Sequence, residues 1–212
     1  MINLKNTVVG FLVSFAGSIP LGYLNVVGFE IYRHQGILTT ICYLLGVILI
    51  EFFVIYFTLI FANQLAANKK LSKYIEGFSI MFMLILAYFF YSTATKTTSL
   101  GNEFSNFGYW GTFTTGVFLS AINFVQIPFW TGWNLYLLNG KFIEVSNNKK
   151  YFYVFGTIVG TFVGMVFLIL TLQFFTNQMD FLSKYLMKII IPIVFLSLGI
   201  YQGIKFYIKH MK

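Results

Sequence analysis

The chain has 212 residues, of which 58% are apolar and only 9% are charged, whereas a soluble domain carries roughly 25% charged residues. This composition excludes a water-soluble globular enzyme. The 14 Lys and Arg against 6 Asp and Glu give a net charge of +8. In a membrane protein such a surplus belongs in cytoplasmic loops rather than on a nucleic-acid-binding surface.

Six apolar runs follow one another along the chain, and a bilayer-spanning helix needs about 20 mostly apolar residues. The runs are Val8 to Tyr32, Leu38 to Phe61, Tyr74 to Tyr91, Trp110 to Leu138, Tyr151 to Phe175 and Tyr185 to Ile208. The connectors between them are short and leave no room for a soluble domain. We therefore predict an all-α integral membrane protein with six transmembrane helices, forming a single transporter domain over residues 1–212.

The distribution of Lys and Arg predicts the orientation in the membrane. The N-terminus, the second and fourth connectors and the C-terminus hold Lys5, Lys69, Lys70, Lys73, Lys141, Lys149, Lys150, Lys205, Lys209 and Lys212, whereas the other side holds Arg33, Lys96, Lys184 and Lys188. Positively charged residues concentrate in the cytoplasm. We therefore expect a multi-pass protein of the plasma membrane with both termini cytoplasmic.

Two spaced motifs of the first three runs recur in the same order in the last three. Gly10-x-x-x-Ser14 with Pro20 recurs as Gly116-x-x-x-Ser120 with Pro128, and Gly46 with Glu51 recurs as Gly156 with Thr161. This order indicates a duplication, with one repeat at about residues 5–91 and the other at about 109–208. Because each repeat has three spans, the second must enter the membrane inverted, as in many secondary transporters.

Small residues recur at every fourth position on two of the predicted helices. Gly10 and Ser14 begin such a series on the first helix, and Gly156, Gly160 and Gly164 form one on the fifth. Residues four apart lie on one helix face, and small faces let membrane helices pack by backbone contact. We predict that these faces pack within one chain, with a homodimer as the alternative.

Two prolines are expected to bend or break the first and fourth helices, because proline lacks a backbone donor and clashes with the preceding turn. Pro20 lies near the centre of the first run and Pro128 past the centre of the fourth. The residues beside them are Ser18, Gly22, Asn25, Asn123 and Gln126. Breaks at corresponding places in two halves point to a substrate site at the bilayer midplane, so we predict that these seven residues bind substrate. The alternative is that the prolines only kink their helices.

Glu51 lies in the middle of the second run, among apolar residues. A charged side chain at the bilayer centre costs about 2.5–3.5 kcal/mol on insertion scales, and such residues normally face a cavity and serve a function. We predict that Glu51 faces the substrate site and exchanges a proton that couples transport. The alternative is a neutral Glu that is hydrogen-bonded across a helix contact.

The motifs carry a resemblance to a known family. They are Gly10-Phe11-Leu12-Val13-Ser14, Ser18-Ile19-Pro20-Leu21-Gly22-Tyr23, Gly46 with Glu51, and Gly116-Val117-Phe118-Leu119-Ser120 with Asn123. Together they resemble the LysE family of amino-acid exporters, the lysine exporter and homoserine/threonine exporter superfamily, over essentially the whole chain. The chain departs from the family pattern in three places: Pro20-Leu21-Gly22 stands where the family has Pro-Gly-Pro, Glu51 where it has Asp, and Asn123-Phe124 where it has Asn-Pro. These changes indicate a divergent member.

The resemblance implies a secondary transporter that exports an amino acid or a similar small zwitterion by alternating access around the broken first and fourth helices. The sequence has no nucleotide-binding loop, so a proton or the membrane potential is the expected energy source. The expected partners are the lipid bilayer and the substrate, without a cofactor, a metal or nucleic acid.

Two alternative functions remain open. One is a small-ion or metal-ion exporter of the same superfamily, which is disfavoured because metal ions need several ligands around one point. The other is a non-transporting membrane scaffold. An intramembrane enzyme is not expected, because no His or Asp lies within a predicted span to act as a base or a ligand.

Overall fold

The structure is a computed structural model, and it describes residues 2–19, 22–62, 69–95, 108–146, 148–178, 185 and 189–210. The regular structure in this part of the chain is helical, which confirms the predicted all-α class. The helices are α1 (Ile2–Ser18), α2 (Tyr23–Gln35), α3 (Ile37–Ile60), α4 (Lys69–Thr95), α5 (Tyr109–Ala121), α6 (Gln126–Asn139), α7 (Lys149–Gln178) and α8 (Ile191–His210).

Three helices, α3, α7 and α8, are each long and apolar enough to cross a bilayer. The pairs α1 with α2 and α5 with α6 pass the same test when each is taken as one span, and they bend by 76° and 67° at short breaks. Within the described residues the chain therefore has three to five candidate membrane spans, as expected of a membrane protein.

The six predicted spans are thus matched in five places at most. The third predicted span, Tyr74 to Tyr91, stays a prediction. The apolar part of α4 that qualifies in the described residues, Glu76–Tyr88, is shorter than the roughly 20 residues that a span needs.

Helices of the first half of the chain pack mainly against helices of the second half. α1 lies along α7, α3 lies along α5, and α4 lies along α8. α2 packs on both α3 and α7, and α6 packs on α3. The two halves are therefore interleaved rather than folded side by side.

The predicted small-residue faces meet each other in the contact between α1 and α7. A Cβ atom on Gly156, Gly160 or Gly164 would lie within 3.0 Å of α1, and one on Gly10 would lie within 3.0 Å of α7. Ser14 is buried in the same contact. All five residues predicted to pack helices therefore face another helix of the same chain.

Polar side chains reinforce this contact. The Ser14 hydroxyl donates to the carbonyl oxygen of Thr157 at 2.6 Å and is hydrogen-bonded to the Thr161 hydroxyl at 2.6 Å. The contact between α3 and α5 is equally close, because a Cβ atom on Gly46 or Gly116 would lie within 3.0 Å of a backbone oxygen of the other helix. Each of these helix pairs therefore packs backbone against backbone.

Two apolar clusters occupy opposite halves of α3 and α7. The first apolar cluster includes Tyr43 of α3 and Leu168 of α7, together with buried residues of α2, α4 and α8. The second apolar cluster includes Ile55 of α3 and Tyr153 of α7, together with residues of α6. The level between the two clusters, near the middle of α3 and α7, is where the two bent helix pairs are interrupted.

Candidate functional site

The first helix break lies between Ser18 and Tyr23. Gly22 caps α2 in an extended conformation, with φ −88° and ψ 158°. Pro20 lies outside the described residues. A break is therefore present where the sequence predicted it, and it places the end of α1 beside the start of α2.

The second break lies at residues 122–125, before Pro128 rather than at it. Pro128 is the third residue of α6, where proline is tolerated because the first N–H groups of a helix have no acceptor within it. The carbonyl oxygen of Phe124, four residues earlier, accepts from the Ile127 N–H at 3.2 Å. Asn123 lies within the break itself.

An amide side chain bridges each break. Asn25 donates from Nδ2 to the carbonyl oxygen of Ser18 at 3.0 Å, and Gln126 donates from Nε2 to the carbonyl oxygen of Ser120 at 2.9 Å. The last carbonyls of a helix lack partners within it. Both amides therefore satisfy a carbonyl group at the end of one half-helix from the first turn of the next.

A cavity of about 280 Å³ lies where the two breaks meet the middle of α3 and α7. Six of the eight residues predicted to bind substrate or couple transport line its wall: Ser18, Gly22, Asn25, Glu51, Asn123 and Gln126. Of the other two, Pro20 lies outside the described residues, and Pro128 is exposed and does not line the cavity. The structure thus brings both breaks and Glu51 to one space.

Glu51 is hydrogen-bonded to side chains of two other helices. The indole Nε1 of Trp130, on α6, donates to Glu51 Oε1 at 3.2 Å, and the Thr161 side chain, on α7, is hydrogen-bonded to the same carboxyl group. Trp130 and Thr161 also line the cavity. These three residues form the polar end of the cavity.

The opposite wall of the cavity is apolar and belongs to the first apolar cluster. It is formed by Tyr23, Val47, Met83, Met165 and Phe195. Among the described lining residues, Glu51 is the single ionisable carboxyl group and none is Lys, Arg or His. The cavity therefore combines one acidic group with a wall suited to an apolar body, and Met side chains adapt readily to different shapes.

A hydrogen-bonded triad lies one helical turn beyond Trp130. The buried Asn134 of α6 donates from Nδ2 to the Thr58 hydroxyl of α3 at 3.1 Å and accepts at Oδ1 from the Tyr153 hydroxyl of α7 at 2.8 Å. The triad joins three helices within the second apolar cluster. None of its three residues lines the cavity.

Sequence reasoning does not identify Trp130, Thr161 or the triad as parts of a site. A signal was present for Asn134, because an amide in an apolar run needs hydrogen-bond partners when it is buried. Thr161 occupies the position that matches Glu51 in the second half, which was also a usable signal. Nothing in the local sequence marks Trp130 as a partner of Glu51.

The search for metal ligands and for relatives gives no positive result. Among the described residues, no group of three or more His, Cys, Asp and Glu could hold a metal ion. Comparison of the chain with protein-family models, with curated proteins and with solved structures finds no match in any of the three. The resemblance to the LysE family therefore stays a prediction from short motifs.

Proposed function

We propose that the chain is a secondary transporter of the plasma membrane that exports an amino acid or a similar small zwitterion by alternating access. The observation behind this proposal is the cavity in which two helix breaks and Glu51 meet. Interrupted helices at the bilayer midplane are typical of substrate sites in secondary transporters. Export rather than uptake, and membership of the LysE family, follow from the sequence resemblance.

The cavity has suitable groups for each part of a zwitterion. The N-terminal ends of α2 and α6 border the cavity at Gly22 and Gln126, and helix N-termini attract a carboxylate. The carboxyl group of Glu51 suits an ammonium group. A side chain directed away from Glu51 meets Met83 and Met165, so the preferred substrate is a neutral amino acid with an apolar side chain.

The contacts between the halves support the proposed inverted repeat. Gly10 of α1 approaches the Tyr153 carbonyl of α7, and Gly116 of α5 approaches the Tyr43 carbonyl of α3. Gly10 and Gly116 occupy equivalent positions in the two proposed repeats. Tyr43 and Tyr153 do so as well, because each lies three residues before one of the equivalent glycines Gly46 and Gly156. A two-fold relation between the halves explains why α1 pairs with α7 as α5 pairs with α3.

Contacts at one end of the molecule support the proposed orientation. The Lys5 ammonium donates to the carbonyl oxygen of Lys141 at 3.2 Å, so the N-terminal end of α1 and the connector before α7 lie together. Lys150 lies over the ring of Tyr56, near the end of α3, at 5.7 Å. Lysines of the N-terminus and of the fourth connector thus share one end with the C-terminal part of α3, which is the arrangement expected on the cytoplasmic side.

The two apolar clusters supply the closures that alternating access requires. In this proposal the first apolar cluster closes the cavity on the side of α2 in one state, and the second, with the Asn134 triad, closes it on the side of α6 in the other. Opening either side while the other stays packed would expose the same cavity to one side of the membrane at a time. Glu51 would then meet water from alternate sides and exchange its proton there.

Transport can be tested with the purified protein in liposomes under an imposed pH gradient. We expect accumulation of radiolabelled leucine, and about 100-fold slower transport of lysine and glutamate, because a second charge against the apolar wall costs as much as a charge in the membrane interior. Glu51→Gln keeps the size and hydrogen bonding of the side chain but cannot ionise. It should abolish pH-driven transport, whereas the same change at the exposed Glu144 should not.

Three results would count against parts of this proposal. Undiminished pH-driven transport by Glu51→Gln would remove the coupling role of that residue. Equal transport of leucine and lysine would remove the preference for an apolar side chain. If no amino acid is transported by the wild-type protein, the transporter assignment fails and a membrane scaffold is favoured.

A further inference from the structure

A second concave surface lies between α4 and α8, away from the central cavity. It is lined by Lys70, Lys73, Tyr74, Gly77, Phe78 and Phe206, and we call it the α4–α8 groove. Five of the six residues come from α4 at spacings of three and four, so they lie on one face of that helix. None of them takes part in the central cavity.

The chemistry of the α4–α8 groove changes in order along α4. Two exposed lysines come first, the exposed Tyr74 follows, and Gly77 and Phe78 come last. A Cβ atom on Gly77 would meet nothing within 4 Å, so the groove is open at this point. This order from cationic through amphipathic to apolar matches the order from the surface to the interior of a bilayer.

The positive charge of the groove is available to an external ligand. Among the described residues, neither Lys70 nor Lys73 has an ion-pair partner. The nearby acid on α4, Glu76, is paired with Lys209 of α8. That ion pair also joins the two helices that form the groove walls.

We propose that the α4–α8 groove binds one anionic phospholipid, with its phosphate between Lys70 and Lys73 and an acyl chain along Gly77 and Phe78. Basic pockets between membrane helices bind anionic lipid headgroups. A free phosphate ion would use the two lysines but would leave the apolar part of the groove unfilled. The proposal does not depend on the transport function.

Binding can be measured by native mass spectrometry of the whole protein released from detergent micelles. Phosphatidylglycerol and phosphatidylcholine with identical acyl chains serve as probes, and inorganic phosphate serves as the soluble anion. We expect phosphatidylglycerol to bind more tightly, and each of Lys70→Gln and Lys73→Gln to weaken its binding about fivefold. Lys205→Gln, an exposed lysine of α8 outside the groove, is the matched control and should have no effect.

A groove-filling variant tests the acyl-chain part with the charge unchanged. Gly77→Leu occupies open space, so the protein should fold normally, and phosphatidylglycerol binding should weaken about tenfold. Equal binding of the two lipids, or equal effects of Lys73→Gln and Lys205→Gln, would overturn the proposal. If Gly77→Leu changes neither lipid binding nor its competition by inorganic phosphate, the groove is a simple anion site. That result would also overturn the proposal.

Discussion

Replacement of Gly160 by Ala should destabilise the protein, because it adds a methyl group where α7 touches the backbone of α1. The new Cβ atom would lie 2.9 Å from the Cα atom and 3.0 Å from the carbonyl carbon of Phe11, whereas ordinary contacts lie at 3.4–4 Å. These are backbone atoms, which cannot rotate out of the way. The two helices must therefore separate along part of their contact.

The magnitude follows from two opposing effects. An extra methylene group in a packed interior costs about 1–3 kcal/mol, and exchanging Gly for Ala in a helix gains about 1 kcal/mol. A Cβ atom on Gly132 of α6 would meet nothing within 4 Å. The Gly132→Ala variant therefore shows the gain in helix propensity without a clash. We therefore expect Gly160→Ala to be about 1–3 kcal/mol less stable than Gly132→Ala, with both variants carrying the same chemical change.

The comparison can be made by unfolding the purified variants with SDS in mixed micelles and following helix content by circular dichroism. Gly160→Leu adds a branched side chain at the same point, so we expect it to fail to fold, since lipid offers no hydrophobic gain to offset the clash. Equal stability of the two alanine variants would show that α1 and α7 do not touch at Gly160, and the packing described above would be wrong.

Two further predictions concern polar contacts. Tyr153→Phe leaves the buried Oδ1 of Asn134 without its 2.8 Å donor and should lower the free energy of unfolding by about 1–3 kcal/mol; an unchanged value in the same titration would contradict the triad. The hydrogen-bonded ion pair with Lys149 lowers the pKa of the exposed Glu144 carboxyl below its ordinary 4.5. The small stabilisation that this ion pair gives the folded protein is therefore present above pH 4.5 and is lost as the pH falls through the lowered pKa. Thermal unfolding of the wild type and Glu144→Gln should therefore differ at neutral pH and converge in acid, and a difference that persists in acid would refute this.

Features that depend on local spacing were predictable from the sequence. The four-residue spacing of Gly156, Gly160 and Gly164 defines a face on which another helix can pack closely. The spacing does not identify that helix, because the apolar faces of all the helices are equally compatible with lipid. That α1 is the partner follows from the three-dimensional arrangement of the whole chain.

The second helix break shows why a proline is an imperfect marker of position. Pro128 is compatible with the first turn of a helix, so the interruption occurs before it and Asn123 lies inside the break.

The contact between Glu51 and Trp130 joins residues that are 79 positions apart. It depends on how α6 is rotated about its axis against α3, and no local pattern encodes that rotation. The isolated acid in an apolar run was enough to predict that Glu51 is a special residue. Of its two hydrogen-bond partners, Thr161 could be found from its matching position in the second half, whereas Trp130 could not.

The pairing of α1 with α7 also affects the order of events during synthesis. Ser14 and its hydrogen-bond partner Thr161 are 147 residues apart, and ribosomes add about 5–20 residues per second. The small-residue face of α1 is therefore synthesised about 7–30 s before the face of α7 on which it packs. During that interval the small-residue face of α1 lacks the helix that it packs against in the folded protein. The contact of α1 with α7 therefore forms later than the contacts of α2 with α3 and of α3 with α5, whose helices are made earlier.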